Sequence, residues 1–243
     1  MIQTAMTTLP LTIEGRDFAV IRTRRKKTIS LRIRDGRVEI VVPRETSETR
    51  IAEILADKMP WLRRQLADLD SVPDFVPKAY ESGETFTLMG ETFTLIIEDG
   101  LRDELNASGK ILTAHLHPGR DETRRQSAVA GLLQDWYQQE ATDHLTRRCA
   151  AYSNDMGVSY GKITVKHYKS RWGSCSSVGD LTFNWRIMLA PPDIVDYVVV
   201  HELAHLVHHN HSPAFWQVVG ETMPDYKQHR AWLKLHGSNL RLD

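Results

Sequence analysis

Apolar and polar residues alternate with a period of two over much of the first half of the chain. This period predicts β-strands, because successive side chains of a strand point to opposite faces. The runs that show it are residues 18–21, 29–33, 38–42, 83–97 and 110–116. Asp35-Gly36 provides a turn between two of the runs, Gly90 marks the turn of a later hairpin, and Pro43 ends one strand.

Three longer segments repeat their apolar residues every three or four positions, which is the period of an amphipathic helix. These segments are residues 51–69, about 122–152, and the stretch that opens with Pro191-Pro192. Thr46 or Ser47 can cap the first helix, and Pro60 is expected to kink or interrupt it. Proline is tolerated in a first helical turn, so Pro191 and Pro192 suit the start of the third.

The order of these elements predicts an α+β fold, with a β-rich N-terminal part followed by a helical part that contains a small sheet. Residues 71–77 carry two prolines and are interpreted as a linker loop. The domain boundary is placed near residue 118, where the strand pattern gives way to the helical one. The predicted domains are residues 1–118, β-rich with one helix, and residues 119–243, which carry most of the histidines.

The composition excludes several classes of protein. Thirty-one Lys and Arg residues balance thirty-one Asp and Glu residues, so no global attraction to nucleic acid or to a membrane follows. No apolar stretch approaches the ~20 residues that span a bilayer, and the first fifteen residues show no secretory signal. Two cysteines exclude a disulfide framework and favour a reducing compartment. The protein is therefore expected to be cytoplasmic, without a membrane partner.

The balanced total conceals a local imbalance of charge. Residues 16–64 hold 14 basic and 7 acidic side chains, whereas residues 65–105 hold 2 basic and 10 acidic ones. Solvated faces of strands and helices are the simpler explanation. The alternative is a basic surface on the first third of the chain that binds an acidic partner, such as nucleic acid.

The segment with the clearest chemistry is residues 198–211, VVVHELAHLVHHNH. His201 and His205 are four positions apart, so on a helix their imidazoles project from nearly one face and can bind one metal ion. Glu202 lies roughly 100° around the helix, near enough to contact a water molecule at that ion. This is the H-E-x-x-H pattern, in which two histidines bind zinc and the glutamate is the general base.

A third ligand must come from beyond this pair. His208 lies two turns from His201 along an unbroken helix, roughly 10 Å away, which is too far for one ion, and His209 points elsewhere. His211 is favoured, provided that the helix ends near Asn210 in a left-handed cap that turns the chain back. Two alternatives from the following segment are Glu221 and Asp225.

Residues 171–175 admit two interpretations. In the simpler one they form a structural loop in which Gly173 permits a tight turn. In the other they border a substrate cleft, where Arg171 or a hydroxyl group contacts the substrate. Cys175 is expected to be a buried neutral thiol.

Two further pairs of residues are assigned from the same pattern. Asn184 and Arg186 are placed on the strand beside the metal helix, where an edge strand can align an extended peptide by backbone pairing. Phe215 and Trp216 are expected to belong to the hydrophobic core.

Four segments of this part of the chain resemble the YgjP-like zinc metallopeptidases, which belong to a wider group that includes the SprT-like proteases. The segments are Arg171–Ser176, Leu181–Arg186, His201–His205 and His211–Trp216. The resemblance is strong over residues 163–235 and weaker at the β-rich beginning. It implies a zincin-like α+β catalytic domain, one Zn²⁺ ion bound by His201, His205 and His211, and Glu202 as the catalytic acid and base.

The resemblance favours a zinc metallopeptidase whose substrate is a peptide or protein. One alternative is a metal-dependent nucleotide pyrophosphatase, for which Lys166, Lys169 and Arg171 are the candidate phosphate ligands. A second alternative is a zinc-stabilised nucleic-acid-binding module without catalytic activity.

Overall fold

The structure is a computed structural model that describes residues 11–13, 16–24, 29–34, 37–70 and 72–243. It divides the chain into two compact units, residues 1–73 and 74–243. The division lies inside the segment interpreted as a linker. The position near residue 118 falls within the second unit, between a strand and a helix whose buried side chains share one hydrophobic core.

The first unit is a four-stranded sheet with one helix. Its elements are β1 (Leu11–Ile13), β2 (Arg16–Thr23), β3 (Ser30–Arg34), β4 (Arg37–Pro43) and α1 (Glu48–Asp70). The strand order is β1-β2-β4-β3, with β2 and β4 parallel and the other neighbours antiparallel. The apolar residues of the period-two runs pack against the helix, so these strands are confirmed. The predicted Asp35-Gly36 turn lies outside the described residues.

Helix α1 begins as predicted but is not interrupted. The Ser47 hydroxyl accepts a hydrogen bond from the Arg50 backbone N–H at 3.2 Å, which makes Ser47 the cap. Pro60 lies inside the continuous helix and removes one backbone donor. Buried apolar residues on both sides of it, among them Leu55 and Leu62, hold the two halves against the sheet. Tertiary packing therefore outweighs the local cost of the proline.

The second unit begins with another four-stranded sheet and a long helix. Its elements are β5 (Thr85–Leu88), β6 (Glu91–Asp99), β7 (Glu104–Ser108), β8 (Ile111–Leu116) and α2 (Glu122–Met156). The strand order is β5-β6-β8-β7, with β6 and β8 parallel. The hairpin predicted over residues 83–97 is confirmed. Strand β7 was not predicted, because it lies at a sheet edge and its side chains are half-buried or exposed, which weakens the alternation.

A three-stranded sheet and three helices complete the second unit. They are β9 (Ile163–Lys166), β10 (Gly173–Cys175), β11 (Leu181–Asn184), α3 (Pro192–Ala204), α4 (Pro213–Thr222) and α5 (Tyr226–His236), with short 3₁₀ turns at Trp185–Leu189 and Gly237–Asn239. The strand order is β10-β11-β9, so β10 is an edge strand. The predicted α+β fold is confirmed. Within the described ranges, no helix combines the length and the apolar character needed to cross a membrane.

Helix α3 is held in place by the core of the second unit. Nine of its residues are buried, including Val198, Val199 and Val200. On the side facing α2, the Arg148 guanidinium donates to both carboxylate oxygens of Asp196 at 2.6 Å, and the Tyr152 hydroxyl donates to the same carboxylate at 3.1 Å. Apolar burial and this paired charge therefore fix the position of the helix that carries the H-E-x-x-H residues.

Candidate metal centre

Three histidine side chains converge at the end of α3. His201 lies in its last turn, His205 follows directly, and His211 precedes α4. Each offers one ring nitrogen, and the three nitrogens all lie within 4.8 Å of one another. The Nε2 atoms of His201 and His211 are 3.0 Å apart. The cluster unites the three residues that the sequence favoured as ligands.

The chain reaches His211 by a route that differs from the prediction. Helix α3 ends at Ala204 and not near Asn210, and His205 keeps helical dihedral angles of φ −67° and ψ −18°, which preserves its alignment with His201. Among the described residues other than glycine, a positive φ occurs at Tyr80 and Met89, so the left-handed cap expected at Asn210 is wrong.

A pair of turns takes the place of that cap. The backbone N–H groups of Val207 and His208 both donate to the Ala204 carbonyl, which tightens the chain directly after the helix. The Asn210 side chain then accepts from the Ser212 N–H at 3.3 Å, and the Ser212 hydroxyl caps α4 by accepting from the Phe215 N–H at 3.3 Å. These bonds fix the segment that carries the third histidine.

The hydrogen bond of the His205 ring selects its tautomer. Nδ1 lies 3.1 Å from the His208 carbonyl oxygen, so Nδ1 carries the proton and donates it. The lone pair of Nε2 is then free to face the other two histidines. Such a bond from the far nitrogen is the usual support for a histidine that binds a metal ion.

Burial keeps the cluster in the form that binds metal. Desolvation, with smaller contributions from the neighbouring histidines, lowers the pKa of His201 to about 3, and burial also lowers the pKa of His205. Two nitrogens at 2.0–2.1 Å from one tetrahedral ion would lie about 3.3 Å apart, close to the 3.0 Å spacing of His201 and His211. The donor set therefore fits a single divalent ion.

One aromatic side chain contacts all three histidines. The Phe215 ring centroid lies 5.0, 4.6 and 4.9 Å from those of His201, His205 and His211, and Phe215 is fully buried. Trp216 lies 5.6 Å from His211 in a stacked arrangement. Phe215 belongs to the core, as predicted, but it also supports the ligand rings, which the sequence analysis missed. Local spacing gave no signal for this role, because His211 lies before α4 and Phe215 lies within it.

The carboxylate of Glu202 lies against the backbone of the edge strand β10. A Cβ atom placed on Gly173 would lie 2.6 Å from both Cγ and Oε1 of Glu202. Glycine is thus required here by lack of space and not by a tight turn, since Gly173 does not adopt a positive φ. Burial raises the pKa of Glu202 to about 8, and the charge of Arg171 opposes that shift.

An open cleft of about 500 Å³ exposes these groups. Its lining comprises the three histidines, Glu202, Arg171, the β10 residues, Ser177 and His209. The segment from Arg171 to Cys175 therefore borders the cleft, and part of it forms an edge strand. Cys175 is half-buried, and burial with the nearby Glu202 raises the pKa of its thiol, in agreement with the expected neutral thiol.

Comparison with known proteins identifies the family. The YgjP-like metallopeptidase domain matches residues 27–236, which is most of the chain. The chain belongs to the YgjP-like metallopeptidase family. It is accordingly a metallohydrolase of the metal-dependent peptidase class, which confirms the resemblance found in the sequence. No curated protein matches the chain.

Two solved structures are similar to part of this YgjP-like chain. The metallopeptidase zymogen abylysin of Pyrococcus abyssi is 23% identical, covers 37% of this chain and 94% of its own, and has a TM-score of 0.34. The metallopeptidase zymogen jannalysin of Methanocaldococcus jannaschii is 17% identical, covers 39% of this chain and 95% of its own, and also has a TM-score of 0.34.

The strand assigned to peptide alignment in this YgjP-like domain was wrong. Strand β11, which carries Asn184, lies in the middle of its sheet between the edge strands β10 and β9, and Arg186 lies in the 3₁₀ turn that follows β11. Asn184 is buried and donates from Nδ2 to the carbonyl oxygens of Tyr168 and Arg171. Arg186 pairs with Asp243 at the chain end. Both side chains therefore support the structure outside the cleft.

Among the described residues, the other histidines and the alternative carboxylates Glu221 and Asp225 do not join the cluster of His201, His205 and His211. Glu221 accepts a hydrogen bond from Gln217 at 2.9 Å along its own helix. His208 contributes its backbone carbonyl to His205, and His209 lines the cleft. Neither His208 nor His209 joins the cluster, as expected from the sequence, but His209 faces the same cleft as the three histidines.

Replacement of Phe215 by leucine is expected to weaken the binding of an added divalent ion such as Zn²⁺ about tenfold while the protein remains folded, because the three imidazole rings lose their common support. Competition with a chromophoric chelator measures the zinc affinity, and circular dichroism verifies the fold. Phe86→Leu removes a comparably buried ring from the same unit, away from the histidines, and should leave the affinity unchanged. Equal zinc affinities for Phe215→Leu and Phe86→Leu would disprove this role.

Proposed function

We propose that the protein is a zinc-dependent metallopeptidase in which His201, His205 and His211 bind one Zn²⁺ ion and Glu202 is the general base. The observation that carries this proposal is the convergence of three histidine nitrogens within 4.8 Å beside a buried glutamate. Membership in a metallopeptidase family supports a divalent metal ion. The donor chemistry supports zinc within that class.

Three imidazole nitrogens are a donor set that zinc prefers. Structural zinc sites usually fill four positions with thiolates and histidines, whereas catalytic sites use three protein ligands and keep one position open. The cluster has three ligands and opens onto the cleft. When bound, Zn²⁺ supplies Lewis-acid chemistry that lowers the pKa of water toward neutrality and polarises a carbonyl group.

In the proposed mechanism Glu202 moves the proton that peptide hydrolysis requires. Its carboxylate can accept a proton from the attacking water molecule and return it to the leaving amine. Glu202 is 5% exposed, so its carboxylate is largely shielded from bulk water during this exchange. Gly173 leaves the space in which the carboxylate lies.

The edge strand β10 supports an extended peptide as the substrate. It pairs with β11 on one side, and its residues line the cleft beside the histidines. A peptide can bind to such an edge by adding a strand, with main-chain hydrogen bonds that do not depend on the peptide sequence. The scissile bond of a peptide bound along β10 would lie next to both Glu202 and the histidine cluster.

Metal content and hydrolysis together test the proposal. The purified protein, loaded with zinc, should contain one equivalent of the ion and cleave casein, and it should lose both properties when a chelator removes the metal. Replacement of His201, His205 or His211 by alanine should abolish zinc binding, whereas His209→Ala, a histidine in the cleft but outside the cluster, should retain it. A loaded protein that hydrolyses nucleoside triphosphates but not casein would favour the pyrophosphatase alternative.

Glu202→Gln should bind zinc normally and lose at least about 100-fold in kcat, because an amide cannot accept the proton. Elemental analysis measures the zinc content, and turnover is measured on a peptide that the parent protein cleaves. Full activity of this variant would exclude Glu202 from proton transfer.

Gly173→Ala should reduce turnover about 100-fold while zinc remains bound, because the added methyl group displaces the Glu202 carboxylate from its position. Gly131→Ala is the matched control: it lies on α2, where a Cβ meets no atom within 4 Å. Thermal melting separates a displaced carboxylate from an unfolded protein. If both glycine variants keep full turnover, the contact with Glu202 has no catalytic importance.

A further inference from the structure

We propose that Arg171 is a specificity residue that binds a carboxylate of the peptide substrate, so that the cleft selects acidic peptides. This inference rests on the proposed peptidase function and adds the chemical class of the substrate. The carboxylate comes from an aspartate or glutamate side chain near the scissile bond or from the C-terminus of the peptide. Both sources offer a planar anion that a guanidinium can bind.

The charges in the cleft are distributed between its interior and its rim. Of the described residues that line it, Arg171 is the single Lys or Arg and Glu202 the single Asp or Glu. Glu202 is 5% exposed, whereas Arg171 is exposed. Histidines that bind a divalent ion do so as neutral imidazoles. With the ion present the cleft carries a net positive charge, which attracts anions.

Arg171 forms no ion pair with any residue in the part of the chain that the structure describes. Several other cations of the same unit are paired: Arg186 with Asp243, Arg148 with Asp196, and Lys162 with Asp180. Among the described residues, Lys166 and Lys169 on the same segment resemble Arg171 in forming no ion pair, but neither lines the cleft. The guanidinium of Arg171 therefore keeps its donors available for a group that enters the cleft.

The segment that carries Arg171 is fixed before any substrate binds. The buried Asn184 holds it by donating from Nδ2 to the carbonyl oxygens of Tyr168 and Arg171 at 3.0 and 3.3 Å. The Tyr168 hydroxyl lies 3.0 Å from the Ser174 hydroxyl on β10. The Arg171 guanidinium lies 5.7 Å from the centroid of the Tyr168 ring, and Lys166 lies 4.9 Å from the same centroid.

These contacts prepare the guanidinium for a carboxylate. Cation–π contact restrains the guanidinium beside Tyr168. The contact between Tyr168 and Ser174 connects this loop to β10, the strand that is proposed to align the peptide, and the bonds from Asn184 connect it to the adjoining β11. A restrained arginine loses less conformational entropy when it forms a two-point bond to a carboxylate. Lysine lacks this planar geometry, which distinguishes Arg171 from the exposed Lys169 on the same loop.

A different role for Arg171 makes a different prediction. Arg171 interacts electrostatically with Glu202, so its removal could slow the chemical step for every substrate alike. That role would lower kcat equally for acidic and neutral peptides. Binding of a substrate carboxylate instead changes kcat/KM selectively for acidic peptides.

Cleavage of a proteome-derived peptide library by the zinc-loaded protein tests the selectivity. Mass spectrometry should show aspartate or glutamate enriched at a fixed position near the cleavage sites, or cleavage at a fixed distance from a free C-terminus. Amidation of the peptide C-termini distinguishes the two sources, since it abolishes the second pattern and leaves the first. Cleavage without either pattern overturns the proposal while leaving the peptidase function intact.

Two variants assign the selectivity to a residue. For a cleaved peptide and its counterpart in which an amide replaces the recognised carboxylate, wild-type protein should prefer the acidic form roughly tenfold in kcat/KM. Arg171→Gln should lose this preference, and Lys169→Gln, which removes a nearby charge outside the cleft, should keep it. If Arg171→Gln lowers kcat/KM equally for both peptides, Arg171 acts through its electrostatic interaction with Glu202 and does not bind the substrate carboxylate.

A binding measurement tests Arg171 independently of turnover. Two peptidyl hydroxamates that differ only in carrying glutamate or glutamine are titrated calorimetrically into the zinc-loaded protein. The glutamate compound should bind about tenfold more tightly, and this advantage should disappear in Arg171→Gln. Equal affinities in the wild-type protein would overturn the proposal. If the glutamate compound binds more tightly but no peptide is cleaved, the proposed peptidase function is wrong and the proposed carboxylate site at Arg171 is retained.

Discussion

The burial of α3 on nearly all sides is the constraint on which the site depends. Nine of its thirteen residues are buried, so the helix cannot rotate without exposing valines or moving the Arg148–Asp196 pair. Apolar burial contributes about 25 cal/mol per Å², and this energy fixes two chemically active side chains, His201 and Glu202, that would otherwise be costly to remove from water. The packing of the apolar residues of α3 thus determines the positions of His201 and Glu202.

The third histidine is held by a different kind of interaction. His211 lies on a short segment after the helix, and this segment is restrained by turns and hydrogen bonds. The exposed ring of His211 packs on Phe215 and Trp216. Two of the proposed ligands lie on or directly after a rigid helix, the third lies on a connecting segment, and a single buried ring contacts all three. Phe215 couples the two parts, because the ring that contacts His211 also contacts His201 and His205.

Features that depend on the spacing of residues along the chain were predicted correctly from the sequence, whereas features that depend on contacts between distant elements were not. The four-residue spacing of His201 and His205 placed both rings on one face, and the alternating runs placed most strands. The predicted end of α3 was wrong. Hydrogen bonds to the Ala204 carbonyl and the cap of α4 at Ser212 turn the chain where a left-handed residue was expected. The requirement for Gly173 could not be inferred from its neighbours, since it arises from a contact with Glu202 on another element. Likewise, only the strand order shows that β10 is an edge strand and β11 is not.

The small residues of β10 connect these features. Gly173, Ser174 and Cys175 carry little volume along the cleft, and each has a separate use: space for Glu202, a bond to Tyr168, and a half-buried neutral thiol. Larger side chains on this edge would fill the cleft and keep a peptide backbone away from the histidines. The same strand therefore lies against Glu202, the proposed general base, on one side and, through Tyr168, restrains the Arg171 loop on the other. The proposed chemistry and the proposed recognition are coupled because both depend on how closely a substrate can approach this edge.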